Sequence, residues 1–224
     1  MLSIREFGKK RKKNMYKNAI FDVDGTVLDT TEGVFGTIRY AVETLGKPPL
    51  AEDKIKLFLG PSLYDGFTKI AGYTDEEARA GLKIYRDSYV NDGLYRCKLY
   101  DGYPEVFESL KKAGVSLCVA SSKPQRFLNL LFDKLDISKY FDRIIGPDER
   151  DIGSDKATLI AKAMTDSSAV MIGDRKYDIS AARKVGIDVI GITYGLTPDG
   201  EYDEYKPDYL AANTDEIYNI IIRG

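Results

Sequence analysis

Two aspartates separated by one residue follow the first apolar segment of the chain. Asp22 and Asp24 come directly after the segment 19–21, and Gly25 behind them allows a sharp turn. A carboxylate can attack phosphorus, which divides a difficult hydrolysis into two easier steps. A second carboxylate can donate a proton to the leaving group and later accept one from water. An Asp-Gly pair alone is more often a turn, so this interpretation depends on residues elsewhere in the chain.

Further hydroxyl, amine and carboxylate side chains follow later apolar segments or open the helical patterns between them. They are Ser121, Ser122, Lys156, Asp174 and Asp178. Ligands of open α/β sheets bind at the carboxyl ends of the strands. We therefore expect these side chains to converge with the two aspartates on one edge of a sheet. Each residue alone has an ordinary structural explanation, such as a helix cap for Asp178 or a solvated surface charge for Lys156.

In order and spacing, these motifs resemble those of the haloacid dehalogenase superfamily over nearly the whole chain from Met15. The four motifs of that superfamily stand here as Asp-Val-Asp-Gly-Thr at 22–26, Val-Ala-Ser at 119–121, the single Lys156, and Gly-Asp-Arg-Lys-Tyr-Asp at 173–178. The segments 29–33 and 60–63 are most similar to the phosphoglycolate phosphatase, pyrophosphatase and 5'-nucleotidase group.

The resemblance implies a Mg²⁺-dependent phosphatase that acts on a small phosphorylated metabolite through an aspartyl-phosphate on Asp22. Asp24 would be the general acid/base, and Ser121 and Lys156 would bind the phosphoryl oxygens during catalysis. Mg²⁺ would be held by Asp22, Asp174 and the main-chain carbonyl of Asp24. Oxygen ligands suit this hard cation, and the chain contains no histidine that could serve as a metal ligand instead.

Other residues are expected to support these groups or to contact the substrate. Asp178 would orient Lys156 or a metal-bound water. The residues expected to bind the substrate are Gly25, Thr26, Ser122, Gly60 and Pro61.

The chain alternates apolar segments with helical patterns, which predicts a Rossmann-like parallel sheet in an α/β sandwich. The predicted strands are 19–21, 115–120, 144–146, 169–173 and 189–192, and the predicted helices are 103–113, 124–135, 155–164 and 178–185. The interval 30–99 contains no convincing strand, but its apolar residues repeat at helical spacing. We therefore expect an α/β core of residues 15–29 and 100–224 with an inserted all-helical cap of residues 30–99.

Composition limits the possible partners. The 224 residues contain 33 Lys and Arg against 35 Asp and Glu, so no strong field favours nucleic acid or a membrane. The basic run 9–13 could form a nucleic-acid or membrane-surface arm, but we expect residues 1–14 to be a disordered extension. Two cysteines are too few for a disulfide framework, which favours a cytoplasmic protein. The sequence leaves the oligomeric state open between monomer and dimer.

Three other functions fit parts of the pattern. A phospho-accepting signalling receiver is shorter and has no helical insert after its first strand. A haloacid dehalogenase needs no metal and would not be expected to contain Asp24. Sugar phosphomutases of the same superfamily tend to have a histidine shortly after the first motif, and this chain has none. The sequence does not distinguish among phosphoglycolate, pyrophosphate, nucleotide and sugar phosphate substrates.

Overall fold

The computed structural model describes residues 15–148 and 155–224. The strands in these ranges are β1 Asn18–Phe21, β2 Leu28–Asp29, β3 Lys98–Leu99, β4 Ser116–Ala120, β5 Arg143–Ile145, β6 Ala169–Gly173, β7 Asp188–Ile192 and β8 Tyr209–Ala211. The α-helices are α1 Thr31–Thr44, α2 Glu52–Lys56, α3 Leu63–Asp65, α4 Asp75–Tyr89, α5 Tyr103–Lys112, α6 Gln125–Lys134, α7 Lys156–Ala163, α8 Lys176–Val185, α9 Glu201–Glu204 and α10 Thr214–Arg223.

Six strands form one parallel sheet in the order β5-β4-β1-β6-β7-β8. The first strand, β1, therefore lies inside the sheet, with β4 on one side and β6 on the other. A change in strand order at the first strand opens a crevice at the carboxyl ends of β1, β4 and β6. The predicted Rossmann-like α/β fold is confirmed.

Alternate residues of each central strand pack into two separate apolar clusters, one on each face of the sheet. In β1, Ala19 and Phe21 belong to one cluster and Ile20 belongs to the other. Helices α5, α6 and α10 cover the first face, and α7 and α8 cover the second. Because both faces are buried, the strands are continuous apolar runs rather than alternating ones.

The segment between β2 and β3, residues 30–97, is helical, and we call it the cap because it corresponds to the predicted helical insert. It contains α1 to α4 and a π-helix at Gly66–Ile70. Thr74 begins α4 with a reciprocal capping box to Glu77, as the Thr-Asp-Glu-Glu sequence predicts. The chain passes from the core into the cap at β2 and returns at β3. These two short strands pair antiparallel, with Leu28 opposite Leu99. The interval 30–99 thus ends in a two-residue strand that sequence patterns do not reveal.

The carboxyl-terminal part of the chain adds elements that we did not predict. Strand β8 extends the sheet, α9 lies between β7 and β8, and α10 packs on α5. The predicted extension 1–14 lies outside the described residues. Within the described ranges, every helix is too short or too polar to cross a membrane.

Candidate active site

Asp22 and Asp24 lie at the carboxyl end of β1, beside a cavity between the sheet edge and the cap. The amide of Asp22 donates to the carbonyl oxygen of Ile172 at 2.9 Å, which extends the contact between β1 and β6 by one residue. Both aspartates line the cavity, whose volume is about 370 Å³. Asp22 is buried and Asp24 is half-buried, so the strand end presents two carboxylates with different exposure.

Lys156 joins Asp22 to Asp178. Its Nζ lies 2.8 Å from Oδ1 of each carboxylate, and all three side chains are buried. Burial alone would lower the pKa of Lys156, but Asp178 and Asp22 raise it above its usual value, so the amine stays charged. Burial raises the pKa of Asp22 to about 6, although Lys156 opposes that rise. Asp178 makes the contact with Lys156 that the sequence led us to expect.

Asp174, at the end of β6, is completely buried and held by two loops. Thr26 Oγ1 donates to its Oδ1 at 3.2 Å, and the amide of Leu196 donates to its Oδ2 at 2.8 Å. Burial first, and then the charges of Asp178 and Asp22, raise the pKa of Asp174 to about 8. A carboxylate in these surroundings favours a positively charged neighbour.

Gly25 and Thr26 support Asp174, although we expected them to contact the substrate. Gly25 has a φ of +80°, and a Cβ there would lie 2.3 Å from Oδ2 of Asp174. Neither residue is among the described residues that line the cavity. The sharp turn after Asp24 directs both residues toward β6, which explains the difference.

Three carboxylates at this edge could hold a metal ion. One oxygen each of Asp22, Asp174 and Asp178 lies within 4.8 Å of the other two, and all three residues are buried. An all-oxygen donor set of this charge fits a hard divalent cation. Asp178, which we expected only to orient Lys156 or a metal-bound water, is thus close enough to be a metal ligand itself. The Asp24 carboxylate is not among these three groups. The role of the Asp24 main-chain carbonyl stays a prediction.

Lys123 is a buried residue of the site that the sequence motifs do not include. Its Nζ lies 3.1 Å from Oδ1 of Asp24 and donates to the hydroxyl of Tyr89 on α4 at 2.9 Å. The ammonium also lies 4.9 Å from the centre of the Tyr89 ring. Lys123 therefore connects the core, the second aspartate and the cap. Its place directly after Ser121 and Ser122, at a strand end, was the signal available in the sequence.

The other predicted contact residues surround the same cavity. Ser121 is buried, and its Oγ accepts a hydrogen bond from the amide of Lys123 at 3.2 Å. Ser122 Oγ donates to the carbonyl oxygen of Gly60 at 3.4 Å, which brings the cap segment to the core. Gly60 and Pro61 line the same cavity as Asp22, as a role in substrate contact requires.

Arg175 is a second connection between core and cap that the sequence did not reveal. The side chain is buried, and its Nε lies 3.1 Å from Oε1 of Glu201 on α9. Its Nη1 donates to the carbonyl oxygen of Leu59 in the cap. The residue after Asp174 therefore fixes the segment that ends at Gly60.

The chain is similar in sequence to known hydrolases. A sequence profile described as haloacid dehalogenase-like hydrolase matches residues 19–192. The chain is 30% identical over 213 residues to a 5'-nucleotidase of Pseudomonas aeruginosa, covering 92% of this chain and 96% of that protein. It is 26% identical to a phosphoglycolate phosphatase of Vibrio parahaemolyticus, covering 90% of this chain and 94% of that protein.

The crystal structure of a predicted phosphatase from Clostridium acetobutylicum is similar to this fold. It superposes with a TM-score of 0.86 at 30% identity, covering 93% of this chain and 99% of the other. The profile match spans the first motif, the cap and the acidic pair after β6. The resemblance seen in the sequence is thereby confirmed, and the chain belongs to the haloacid dehalogenase-like hydrolase family.

Proposed function

We propose that this hydrolase is a Mg²⁺-dependent phosphatase that cleaves a small phosphate monoester through an aspartyl-phosphate on Asp22. The main supporting observation is that Asp22 and Asp24 line one cavity but are paired with different lysines. Lys156 contacts Asp22 at 2.8 Å, whereas Lys123 contacts Asp24 at 3.1 Å. Chemically identical residues held in this way can perform different steps.

In the first step, a carboxylate oxygen of Asp22 forms a bond to phosphorus while the bond to the leaving oxygen breaks. Asp24 donates its proton to that leaving oxygen. In the second step, Asp24 removes a proton from water, and the water oxygen attacks phosphorus. The bond to Asp22 then breaks, which releases phosphate and restores the Asp22 carboxylate and the proton of Asp24.

Lys156 and Ser121 are suited to hold the phosphoryl group during both steps. The Lys156 ammonium already lies beside the attacking carboxylate, so it can also contact an equatorial phosphoryl oxygen. The hydroxyl of Ser121 accepts a hydrogen bond from the amide of Lys123, which leaves its own proton available for a phosphoryl oxygen.

Asp22 and Asp174, with the main-chain carbonyl of Asp24, would hold Mg²⁺, and Asp178 is close enough to contribute. The three carboxylates fit such an ion because they are buried, oxygen-only and within 4.8 Å of one another. The ion would screen the repulsion between an anionic nucleophile and an anionic substrate.

The test is phosphate release by the purified protein with Mg²⁺ from a panel of small phosphate monoesters and pyrophosphate. We expect turnover of at least one compound and its loss in an Asp22→Asn variant that melts at the parent temperature. Absence of phosphate release from the whole panel, or full activity of the Asp22→Asn variant, would contradict the proposal.

A further inference from the structure

Arg86 on α4 is a cation of the cavity lining without a partner in the described part of the chain. The side chain is half-buried; its Nε is buried and donates to no acceptor there, and its guanidinium forms no ion pair with a described carboxylate. A buried N–H of a guanidinium without an acceptor is costly, so the Nε of Arg86 is expected to meet an acceptor on a bound molecule.

The other cations of the cavity already pair with carboxylates. Lys123 pairs with Asp24, and Lys156 pairs with Asp22 and Asp178. Lys184 lies 3.4 Å from Asp155. Arg86 is thus the one positive side chain among the described lining residues that has no carboxylate partner.

The neighbours of Arg86 on α4 are also fixed by other contacts. Tyr85 stacks on Tyr89 with ring centres 5.0 Å apart, and the Tyr89 hydroxyl accepts from Lys123. This face of the helix therefore presents a rigid aromatic surface with one free guanidinium beside it.

The position of Arg86 determines which part of a substrate it can meet. The phosphoryl group belongs at Asp22, on the core side of the cavity. Arg86 lies on the cap side, where the leaving group must extend. A guanidinium presents a planar pair of donors that matches a carboxylate or a phosphate.

We propose that Arg86 is a specificity residue that binds a second oxyanion, a carboxylate or a phosphate, on the leaving group of the substrate. The preferred substrates are then small, doubly acidic phosphate compounds rather than nucleoside monophosphates, whose leaving group is a neutral nucleoside. This inference rests on the proposed phosphatase function and names its substrate class.

The test compares matched substrates with and without the second oxyanion. 2-Phosphoglycolate carries a carboxylate, 2-hydroxyethyl phosphate replaces it with a neutral hydroxymethyl group, and pyrophosphate supplies a phosphate as the leaving group. For the parent protein we expect kcat/KM to be at least about tenfold higher for an acidic compound than for the neutral ester. The Arg86→Gln variant should lower kcat/KM for that acidic compound by about 10- to 100-fold, mainly through KM, and reduce the ratio to the neutral ester.

Two further variants separate recognition from folding and from general charge. Arg86→Lys keeps the charge but loses the planar pair of donors, so its ratio should lie between those of the parent and Arg86→Gln. Lys83→Gln removes an exposed charge of the same helix that pairs with Asp87, and it should leave the ratio unchanged. If Arg86→Gln fails to fold by thermal melting, the ratio of the Arg86→Lys variant decides.

The outcomes distinguish this inference from the proposed function. If the parent hydrolyses neutral and acidic esters equally well, or if Arg86→Gln weakens both equally, the role of Arg86 is overturned and the phosphatase function stands. If the parent releases phosphate from none of these three compounds but from another phosphate monoester of the panel, the role of Arg86 is overturned and the phosphatase function stands. If it releases phosphate from no member of the panel, both proposals are overturned.

Discussion

Two lysines give the neighbouring aspartates of the first motif different surroundings. Asp22 contacts Lys156, which also pairs with Asp178, whereas Asp24 contacts Lys123 and through it the cap. The difference between a nucleophile and an acid/base, as proposed here, therefore depends on position and neighbours rather than on residue type.

Gly25 gives a residue-level prediction. Its φ of +80° disfavours any side chain, and a Cβ would lie 2.3 Å from Oδ2 of Asp174. We expect Gly25→Ala to lower the free energy of unfolding by about 3 kcal/mol, from backbone strain and overpacking together. Because Asp174 must move, activity should fall by about 100-fold or more. Denaturant unfolding and turnover measure the two effects.

Gly46→Ala is the matched control for this prediction. Gly46 also has a positive φ, of +67°, but a Cβ there would meet nothing within 4 Å. Its substitution should cost about 1 kcal/mol from backbone strain alone and leave turnover intact. Equal losses in the two alanine variants would mean that the contact with Asp174 does not matter.

The site residues could be predicted where a motif stands at a strand end, but not where the contact is tertiary. Asp22, Asp174 and Lys156 follow or precede predicted elements, so their convergence follows from the parallel sheet. Lys123 pairs with Asp24, 99 positions earlier in the chain, and with Tyr89, 34 positions earlier. No local pattern encodes that pairing, although a lysine at a strand end was a candidate.

At the scale of elements, the cap is attached to the core by specific contacts as well as by the paired crossings β2 and β3. Arg175, in the loop between β6 and α8, contacts Glu201 of α9 and the carbonyl oxygen of Leu59 in the cap. The loop that carries Asp174 is therefore fixed to the cap segment that approaches the cavity.

The Arg175 contact gives a prediction for the cap. Arg175→Met breaks a buried ion pair, so we expect the free energy of unfolding to fall by about 3 kcal/mol. Since Leu59 loses its donor, amide hydrogen exchange in residues 57–62 should become faster. Mass spectrometry of exchanged peptides and denaturant unfolding measure these changes.

Arg79→Met serves as the comparison on an exposed site. Arg79 pairs with Asp75 on the surface of α4, where solvent screens the pair, so its loss should change the free energy of unfolding little. If exchange in residues 57–62 is the same in both variants, Arg175 does not anchor that segment.

Elements with strong local signals were predicted well, and weak ones were not. The five predicted strands and four predicted core helices are present, because each combines a clear apolar pattern with turn or capping residues at its ends. Strand β8 has three residues at the edge of the sheet, too few for a pattern. Helix α10 did carry a signal, since Asn213 caps it and Ile217 and Ile221 repeat at helical spacing.

At the scale of the whole molecule, the cavity lies between a rigid parallel sheet and a helical insert. Buried acids concentrate at the sheet edge, and the cap contributes Arg86 and aromatic side chains. Chemistry and selectivity are thus assigned to different parts of the chain in the mechanism proposed here.

Metal dependence is the prediction for the intact protein. Excess chelator should abolish turnover, since the repulsion between Asp22 and an anionic substrate would no longer be screened. Mg²⁺ should restore turnover better than Ca²⁺, whose larger and looser coordination suits phosphoryl transfer poorly. Full turnover in excess chelator would contradict the assignment of Asp22 and Asp174 as metal ligands.

The central claim is that Asp22 becomes phosphorylated and that Asp24 donates a proton in the first step and accepts one from water in the second. The Asp24→Asn variant keeps the nucleophile but removes the proton donor and the base, a contribution of about 10²- to 10⁴-fold. It should still release an activated aryl leaving group, because that group departs without protonation. Hydrolysis of the phosphorylated protein should then be slow.

The most direct measurement is the transfer of labelled phosphate to protein from an aryl phosphate, followed by peptide mass spectrometry. We predict that the Asp24→Asn variant accumulates one phosphoryl group on the peptide that contains residue 22, whereas the Asp22→Asn variant accumulates none. Stable label on the Asp22→Asn protein, or equal turnover by both variants, would contradict the assigned roles of the two carboxylates.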